Sequence, residues 1–174
     1  PSERIWFKEP IHKVELIWII VAFLWGLTMF FTMIWWHGFG QQNMSNEAYR
    51  VQPFQFAEKV DAMVAAHTVR QEGAFPVVKP PPGSDVYMMG RVYMWWPMLE
   101  LEKGQTYRLH LSSIDLQHGF SLQPLNINIQ VHPGYESVMT ITPTSSGEFG
   151  IVCNEYCGLG HHTMTGRIYV VERT

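Results

Sequence analysis

A long run without any charged side chain constrains this chain more than any other feature. Residues 16–36 read LIWIIVAFLWGLTMFFTMIWW. As a helix they would extend about 31 Å at roughly 1.5 Å per residue, enough to cross the hydrocarbon core of a bilayer. Trp18, Trp35 and Trp36 lie near the two ends, where aromatic side chains of membrane helices gather. The run is too long for a signal peptide, and no small-residue cleavage pattern follows it. We therefore expect one transmembrane helix over residues 14–36, with the lipid bilayer around it.

The distribution of basic residues predicts how this helix is oriented. Arg4, Lys8 and Lys13 precede it, whereas the next basic residue after it is Arg50. Positive charge favours the cytoplasmic side of a membrane. We expect a cytoplasmic tail over residues 1–13 and a C-terminal domain on the periplasmic or outer side of a bacterial or archaeal cell membrane.

Charge and cysteine content exclude two classes of protein. The net charge is −3, and the twelve basic residues are scattered rather than clustered, which argues against a nucleic-acid partner. The chain has two cysteines, too few for a small fold held together by disulfides.

Beyond the apolar run, the sequence changes texture at about residue 85. Residues 37–84 read as a linker that contains a short amphipathic helix, with Phe56, Val60, Met63 and Val64 at helical spacing, and a Pro-rich loop, VVKPPPGSD. Residues 85–174 read as a separate domain of short strands.

Several segments of this domain show the period-two alternation of a β-strand. They are residues 106–114, 126–131, 137–142 and 166–171, and glycine-containing turn signals separate them. In the first segment, Tyr107, Leu109 and Leu111 alternate with Arg108, His110 and Ser112. Many short strands at this spacing indicate a β-sandwich or barrel, for which about ninety residues suffice.

Residues 153–164, CNEYCGLGHHTM, bring together two cysteines, a histidine and a methionine. A closed structural zinc site is one interpretation, but thioether sulfur is a poor zinc ligand and a good copper ligand. A Cys153–Cys157 disulfide is another, although so small a loop would stabilise the fold weakly and would leave His161 and Met164 unexplained.

Copper accounts for more of these residues. A single-copper blue site takes two His, one Cys and a weakly bound Met, and an upstream histidine is present at His118. The additional thiolate allows two sulfurs to bridge two copper ions. His118 and His161 would then serve one ion each, Met164 one ion, and a loop carbonyl the other. Such a site suits rapid electron transfer.

The loop resembles the C-x-E/Q-x-C-G-x-x-H-x-x-M motif of subunit II of the haem-copper cytochrome c oxidases, which holds the binuclear CuA centre. The resemblance continues upstream through HGF, NINIQVHPG and TVRQEG, and the single anchor helix is similar to the B-type branch of that superfamily. It implies an all-β cupredoxin-like Greek-key sandwich with one N-terminal transmembrane α-helix. The copper ligands it implies are His118, Cys153, Cys157, His161, Met164 and the main-chain carbonyl of Glu155.

The same resemblance implies a function and partners. The chain would be the non-catalytic, electron-accepting subunit of a membrane-bound terminal oxidase. It would take electrons from cytochrome c and pass them to haem in subunit I, where oxygen is reduced and protons are translocated. In many members the carboxylate at the Glu155 position also binds magnesium or manganese at the interface with subunit I. Simple solvation or an interface ion pair is the alternative for that side chain. The small subunit of a nitric oxide reductase and a membrane-anchored copper carrier are alternative functions.

The resemblance also suggests where electrons and protons enter. An aromatic-rich segment, RVYMWWPM, corresponds to the one that receives electrons in the oxidase family, and Trp95 is our preferred contact, flanked by Tyr93 and Trp96. Packing of these rings in the sandwich core is the alternative. Glu15 corresponds to a glutamate near the start of the proton path in B-type relatives, although a helix-end charge in the headgroup region is the simpler interpretation.

Overall fold

The computed structural model describes residues 10–40, 47–125 and 127–173. The chain forms two compact units, Pro1–Asn43 and Met44–Thr174. Parts of the predicted tail and linker (residues 1–9 and 41–46), together with Asn126 and Thr174, lie outside the described residues.

The first unit contains helix α1, Lys13–Phe39, which extends the predicted span of residues 14–36 by a turn at its C-terminal end. Its most apolar window has a mean hydropathy of 2.2, and within the described ranges it is the one helix long and apolar enough to cross a membrane. Glu15 accepts a 2.9 Å hydrogen bond from the main-chain N–H of His12. This bond satisfies a free donor at the start of the helix.

The second unit is a two-sheet sandwich with one helix, α2, Pro53–His67. Its strands are β1 (Glu47–Arg50), β2 (Thr68–Glu72), β3 (Phe75–Val78), β4 (Asp85–Arg91), β5 (Met94–Trp96), β6 (Met98–Glu102), β7 (Tyr107–Ser113), β8 (His118–Gln123), β9 (Ile127–Val131), β10 (Tyr135–Ile141), β11 (Gly147–Cys153) and β12 (Thr165–Val171). One sheet has the order β1-β10-β7-β4-β5, and the other has the order β2-β3-β6-β12-β11-β8-β9. The predicted all-β cupredoxin-like sandwich with an N-terminal apolar helix is confirmed.

The main core lies between the two sheets. Strand β7 contributes Tyr107, Leu109 and Leu111, as its alternation predicts, and all three are buried. From the facing sheet, Phe120 of β8 and Ile151 of β11 join the same cluster. At about 25 cal/mol per Å² of apolar surface, burial of such side chains is the main term that holds the sheets together.

A second, smaller core forms where α2 packs on the outer face of the five-stranded sheet. Phe56 and Val60 of the helix pack with Met89 of β4, and the ring of Phe56 meets the ring of Tyr87 edge-on. This helix lies within the predicted linker, and it buries Phe56, Val60 and Met63. It buries a sheet face whose residues, His110 included, would otherwise meet water.

The predicted domain boundary at residue 85 differs from the structure. Strands β1, β2 and β3 all precede it, yet β1 pairs with β10 and β3 pairs in parallel with β6. The compact unit therefore begins near Met44 rather than at Asp85. Short edge strands such as β1 carry little hydrophobic alternation, so their pairing is set by the neighbouring strand rather than by their own sequence.

Candidate metal centre

Two adjacent strands bring the upstream histidine to the cysteine loop. His118 begins β8 and Cys153 ends β11, and these strands pair antiparallel with Cys153 opposite Phe120. The loop that follows Cys153 returns through a short 3₁₀ helix, His161–Thr163, into β12. Its two ends are joined by a 3.1 Å hydrogen bond from the N–H of Cys153 to the carbonyl of Met164. The strand pairing and this bond fix the loop over one end of the sandwich.

A glycine allows the loop to lie close to β8. The N–H of Asn154 donates to the carbonyl of Gly119 at 3.2 Å. A Cβ atom at Gly119 would fall 2.8 Å from the main-chain nitrogen of Glu155 and would clash with Oδ1 of Asn154. Glycine after His118 is therefore required by the close approach of loop and strand.

Three potential donors gather around Cys153. Its Sγ lies 4.0 Å from Nδ1 of His118 and 3.3 Å from the carbonyl oxygen of Glu155. The sulfur of Cys157 lies 3.9 Å away. The ligating atoms of His118, Cys153 and Cys157 are all within 4.8 Å of one another, and all three residues are buried.

The remaining two donors lie beside Cys157 instead. Its Sγ is 3.7 Å from Nδ1 of His161 and 3.8 Å from Sδ of Met164. The donors thus divide into two sets that share the pair of sulfurs. Metal–sulfur bonds are about 2.3 Å, so two sulfurs on one ion can be no more than about 4.6 Å apart. The observed sulfur separation meets this condition, and the donor set of thiols, imidazoles and a thioether suits copper.

The thiols are unbonded in this structure, and the sulfur separation is well beyond the length of about 2.05 Å that a disulfide requires. Burial, followed by the neighbouring Cys153, raises the pKa of the Cys157 thiol to about 11. A metal must therefore displace a proton from this sulfur before it can bind.

Asp115, which is not among the predicted site residues, contacts the proposed ligand His118. Its Oδ1 lies 2.8 Å from Nε2 of His118. Burial alone would raise the pKa of Asp115, but hydrogen bonds from His118 and from the N–H groups of Val92 and Leu116 outweigh it, and the pKa is lowered. The signal was present in the sequence, since a carboxylate three residues before a candidate ligand is a usual orienting partner.

The structure overturns the expectation that Trp95 meets an electron donor at the surface. Trp95 is 0% exposed, and its ring packs edge-on against Phe120 and His118, with centroids 5.3 and 6.1 Å apart. Its position on β5 opposite Gly90 turns it into the core. Trp95 therefore packs in the core of the sandwich, which is the alternative interpretation of these rings.

The two neighbouring rings differ from Trp95. Tyr93 is half-buried and lies against the cysteine loop, where a Cβ at Gly160 would collide with its ring. Trp96 is half-buried and receives the guanidinium of Arg91 over its face, 5.2 Å from the ring centre.

Two exposed apolar side chains of the cysteine loop are not among the predicted site residues. Tyr156 is 77% exposed and Leu159 is 89% exposed, and the Tyr156 ring lies 5.8 Å from the ring of His161. His161 itself is half-buried, in contrast to the fully buried His118. The loop therefore presents an apolar surface directly above one proposed ligand.

Two other predicted residues make simple local contacts. The Glu155 carboxylate accepts a 2.8 Å hydrogen bond from the side-chain amide of Gln130 on β9. Glu15 caps the N-terminus of α1, as described above. Among the other histidines, His110 is buried rather than exposed and bonds through Nδ1 to Glu136 at 2.5 Å, while His162 is exposed.

Comparison with known proteins gives consistent relatives. Cytochrome c oxidase subunit 2 of Thermus thermophilus is 39% identical over 112 residues, which cover 60% of this chain and 83% of the relative. A second Thermus thermophilus protein of the same name is 39% identical over 112 residues, covering 60% of this chain and 67% of the relative.

A solved structure agrees with these relatives at the level of the fold. A chain of a haem-copper terminal oxidase dimer, determined by cryo-EM, superposes with a TM-score of 0.58 and 20% identity, covering 91% of this chain and 100% of that chain. No family model matches the sequence. With 39% identity over most of a curated relative's length, the chain belongs to the cytochrome c oxidase subunit 2 family.

Proposed function

We propose that this chain is the electron-accepting subunit of a membrane-bound terminal oxidase and that it holds a binuclear copper centre. The ligands are His118, Cys153, Cys157, His161, Met164 and the carbonyl oxygen of Glu155. The subunit reduces no oxygen itself. It passes electrons from a cytochrome c to haem in subunit I, where oxygen reduction is coupled to proton translocation.

The observation that carries this proposal is the division of donors around two free sulfurs. His118 and the Glu155 carbonyl lie beside Cys153, whereas His161 and Met164 lie beside Cys157. A single tetrahedral ion would need its donors around one point. Two bridging thiolates with different donors at each end favour two ions. Bound copper supplies a one-electron carrier, and the buried, pre-positioned donors limit how far the site must rearrange.

We place the contact with the electron donor at Tyr156 and Leu159. Both side chains are exposed, and Tyr156 lies against the ring of His161, the less buried of the two histidine ligands. Glu155 is the one Asp, Glu, Lys or Arg residue in the segment 152–164. A surface with so few charged residues favours an apolar docking face on the donor, with little dependence of the association rate on salt.

The membrane arrangement follows from the anchor and its flanking charges. Helix α1 crosses the bilayer, with the N-terminus in the cytoplasm and the copper domain on the periplasmic or outer face of a bacterial or archaeal membrane. Subunit I packs beside it and carries the haems. The Glu155 carboxylate can bind magnesium or manganese at that interface once its hydrogen bond from the Gln130 side chain is broken. Glu15 caps the helix, and a role for it at the start of a proton path would need the cap to open.

Buried methionines argue against a copper carrier. A carrier would expose its thioethers to exchange metal with partners, but Met88 and Met89 are buried in the two cores and Met164 is 1% exposed. Substitution Met164→Leu separates the two functions. In an electron-transfer subunit it leaves both coppers bound and alters the rate of electron transfer, whereas in a carrier it changes mainly the copper affinity.

The proposal is tested by rapid mixing of the purified oxidase complex with reduced cytochrome c. The copper absorption should bleach first and the haem of subunit I should be reduced afterwards at the rate at which the copper recovers. Reduction of the haem with no prior change in copper absorption would overturn the assignment. The same experiment with nitric oxide in place of oxygen distinguishes the two partner subunits. A terminal oxidase reoxidises its haem with oxygen, and a nitric oxide reductase does so with nitric oxide.

A further inference from the structure

The two ring nitrogens of His118 have separate partners. Nε2 lies 2.8 Å from Oδ1 of Asp115, and Nδ1 lies 4.0 Å from Sγ of Cys153. The ring is fully buried, so no solvent competes for either nitrogen. When Nε2 donates its hydrogen to a carboxylate, the lone pair of a neutral imidazole is on Nδ1. The contact therefore selects the tautomer whose free nitrogen faces the sulfurs.

Asp115 is itself held from two segments of the chain. Its Oδ2 accepts the main-chain N–H of Val92 at 2.7 Å, and its Oδ1 accepts that of Leu116 at 2.6 Å. The hydroxyl of Ser113 lies 3.2 Å from the same Oδ1. A carboxylate with this many donors cannot turn freely, so it fixes the ring of His118 before any metal arrives.

We propose that Asp115 is a positioning residue of the copper centre, which orients His118 and lowers the reduction potential of the copper through its negative charge. The inference rests on the function proposed above. The oxidised site carries one more positive charge than the reduced site, and a nearby carboxylate stabilises the oxidised form more strongly. Loss of the charge should therefore raise the potential.

The second histidine supplies an internal comparison. In the part of the chain that the structure describes, the Asp115 carboxylate contacts His118, while the contacts of the His161 ring are with Cys157 and Tyr156. Loss of the oxygen acceptor at Asp115 should thus alter the magnetic coupling of the His118 nitrogen and leave that of the His161 nitrogen as it was.

The experiment uses the full chain in detergent, loaded with copper, as wild type and as three variants. Asp115→Asn keeps an oxygen acceptor for Nε2 and removes the charge, whereas Asp115→Ala removes both. Asp61→Asn, on the exposed face of α2, removes an equal charge away from any ligand. The reduction potential is measured by redox titration, and the nitrogen couplings by electron–nuclear double resonance.

We expect Asp115→Asn to raise the potential with both nitrogen couplings as in the wild type. Asp115→Ala should raise it and also change one coupling, and Asp61→Asn should leave both quantities unchanged. If Asp115→Ala fails to hold copper, Asp115→Asn alone decides. A shift in Asp115→Asn no larger than in Asp61→Asn would overturn the inference. A wild-type protein without a two-copper spectrum would instead overturn the proposed function, so the two failures are distinguishable.

Discussion

The main-chain N–H of Cys153 donates to the carbonyl of Met164 at 3.1 Å, which joins the first and last proposed ligands of the loop. This bond continues the pairing of β11 with β12, in which Val152 lies opposite Thr165. The loop therefore begins and ends on a rigid sheet. Donors carried by such a loop keep their spacing without a metal, which is the condition for a site that rearranges little during electron transfer.

The close approach of this loop to β8 predicts the effect of adding one methyl group. Gly119→Ala places a Cβ against the main chain of Glu155, so we expect a loss of about 1–3 kcal/mol in the free energy of unfolding, as for other overpacked sites, and weaker copper binding. Gly150→Ala on β11 is the matched control, because nothing lies within 4 Å of its Cβ. Equal urea midpoints for the two variants would show that the loop is not held in this way.

The protonated thiol at Cys157 predicts that copper loading releases protons. Burial and the adjacent Cys153 raise the pKa of Cys157, so at neutral pH the folded, metal-free protein holds this proton. The thiolate, which is the ligand, becomes more populated as the pH rises toward that value. Apparent copper affinity should therefore increase with pH. Calorimetric titration in buffers of different ionisation enthalpy measures the protons released, and a value of zero would contradict the prediction.

The exposed ring above His161 predicts where docking is sensitive to mutation. Tyr156→Ala should lower the second-order rate constant for reduction of the oxidase by cytochrome c, with the copper potential unchanged, because only the contact surface is altered. Tyr135→Ala, on an exposed position of β10, serves as the control. Stopped-flow rates at two ionic strengths check both points. If Tyr156→Ala reacts as fast as Tyr135→Ala, the donor docks elsewhere.

The buried polar contacts under α2 predict a stability effect remote from the copper site. Glu136 is buried and accepts from Lys59 at 3.0 Å and from His110 at 2.5 Å. Glu136→Ala leaves the buried imidazole without this acceptor, at a cost of about 1–3 kcal/mol in unfolding free energy. Glu148→Ala removes an exposed pair with Arg167 and should cost less than about 1 kcal/mol. Urea unfolding measures the loss of unfolding free energy in each variant. The loss should be larger for Glu136→Ala, and equal losses would contradict the prediction.

The sequence predicts the features that depend on residues close together in the chain, and it does not predict those that depend on contacts between distant segments. The alternation in β7 identified Tyr107, Leu109 and Leu111 as core residues, and the spacing of the cysteine loop identified the donors that the structure brings together. Alternation names the two faces of a strand but not what covers the second one. His110 and Ser112, on the other face, are buried as well.

The same limit explains the error at Trp95. An aromatic ring in a short strand can face the core or the solvent, and only the partner strand decides which. Trp95 faces the core because β5 pairs with β4. Tyr156 lies in the loop between β11 and β12, and its side chain is exposed. The sequence does show Asp115 three residues before His118. The N–H of Val92 that holds its carboxylate comes from a distant segment, and no local pattern predicts that contact.

The binuclear centre is tested most directly by the electron paramagnetic resonance spectrum of the full chain, loaded with copper in detergent, together with its copper content. We expect two coppers per chain and a hyperfine pattern from one unpaired electron shared by two copper nuclei. Cys157→Ser should lose this pattern, because one thiolate cannot form two bridges. One copper per chain with a single-nucleus spectrum in the wild type would contradict the assignment of a binuclear centre.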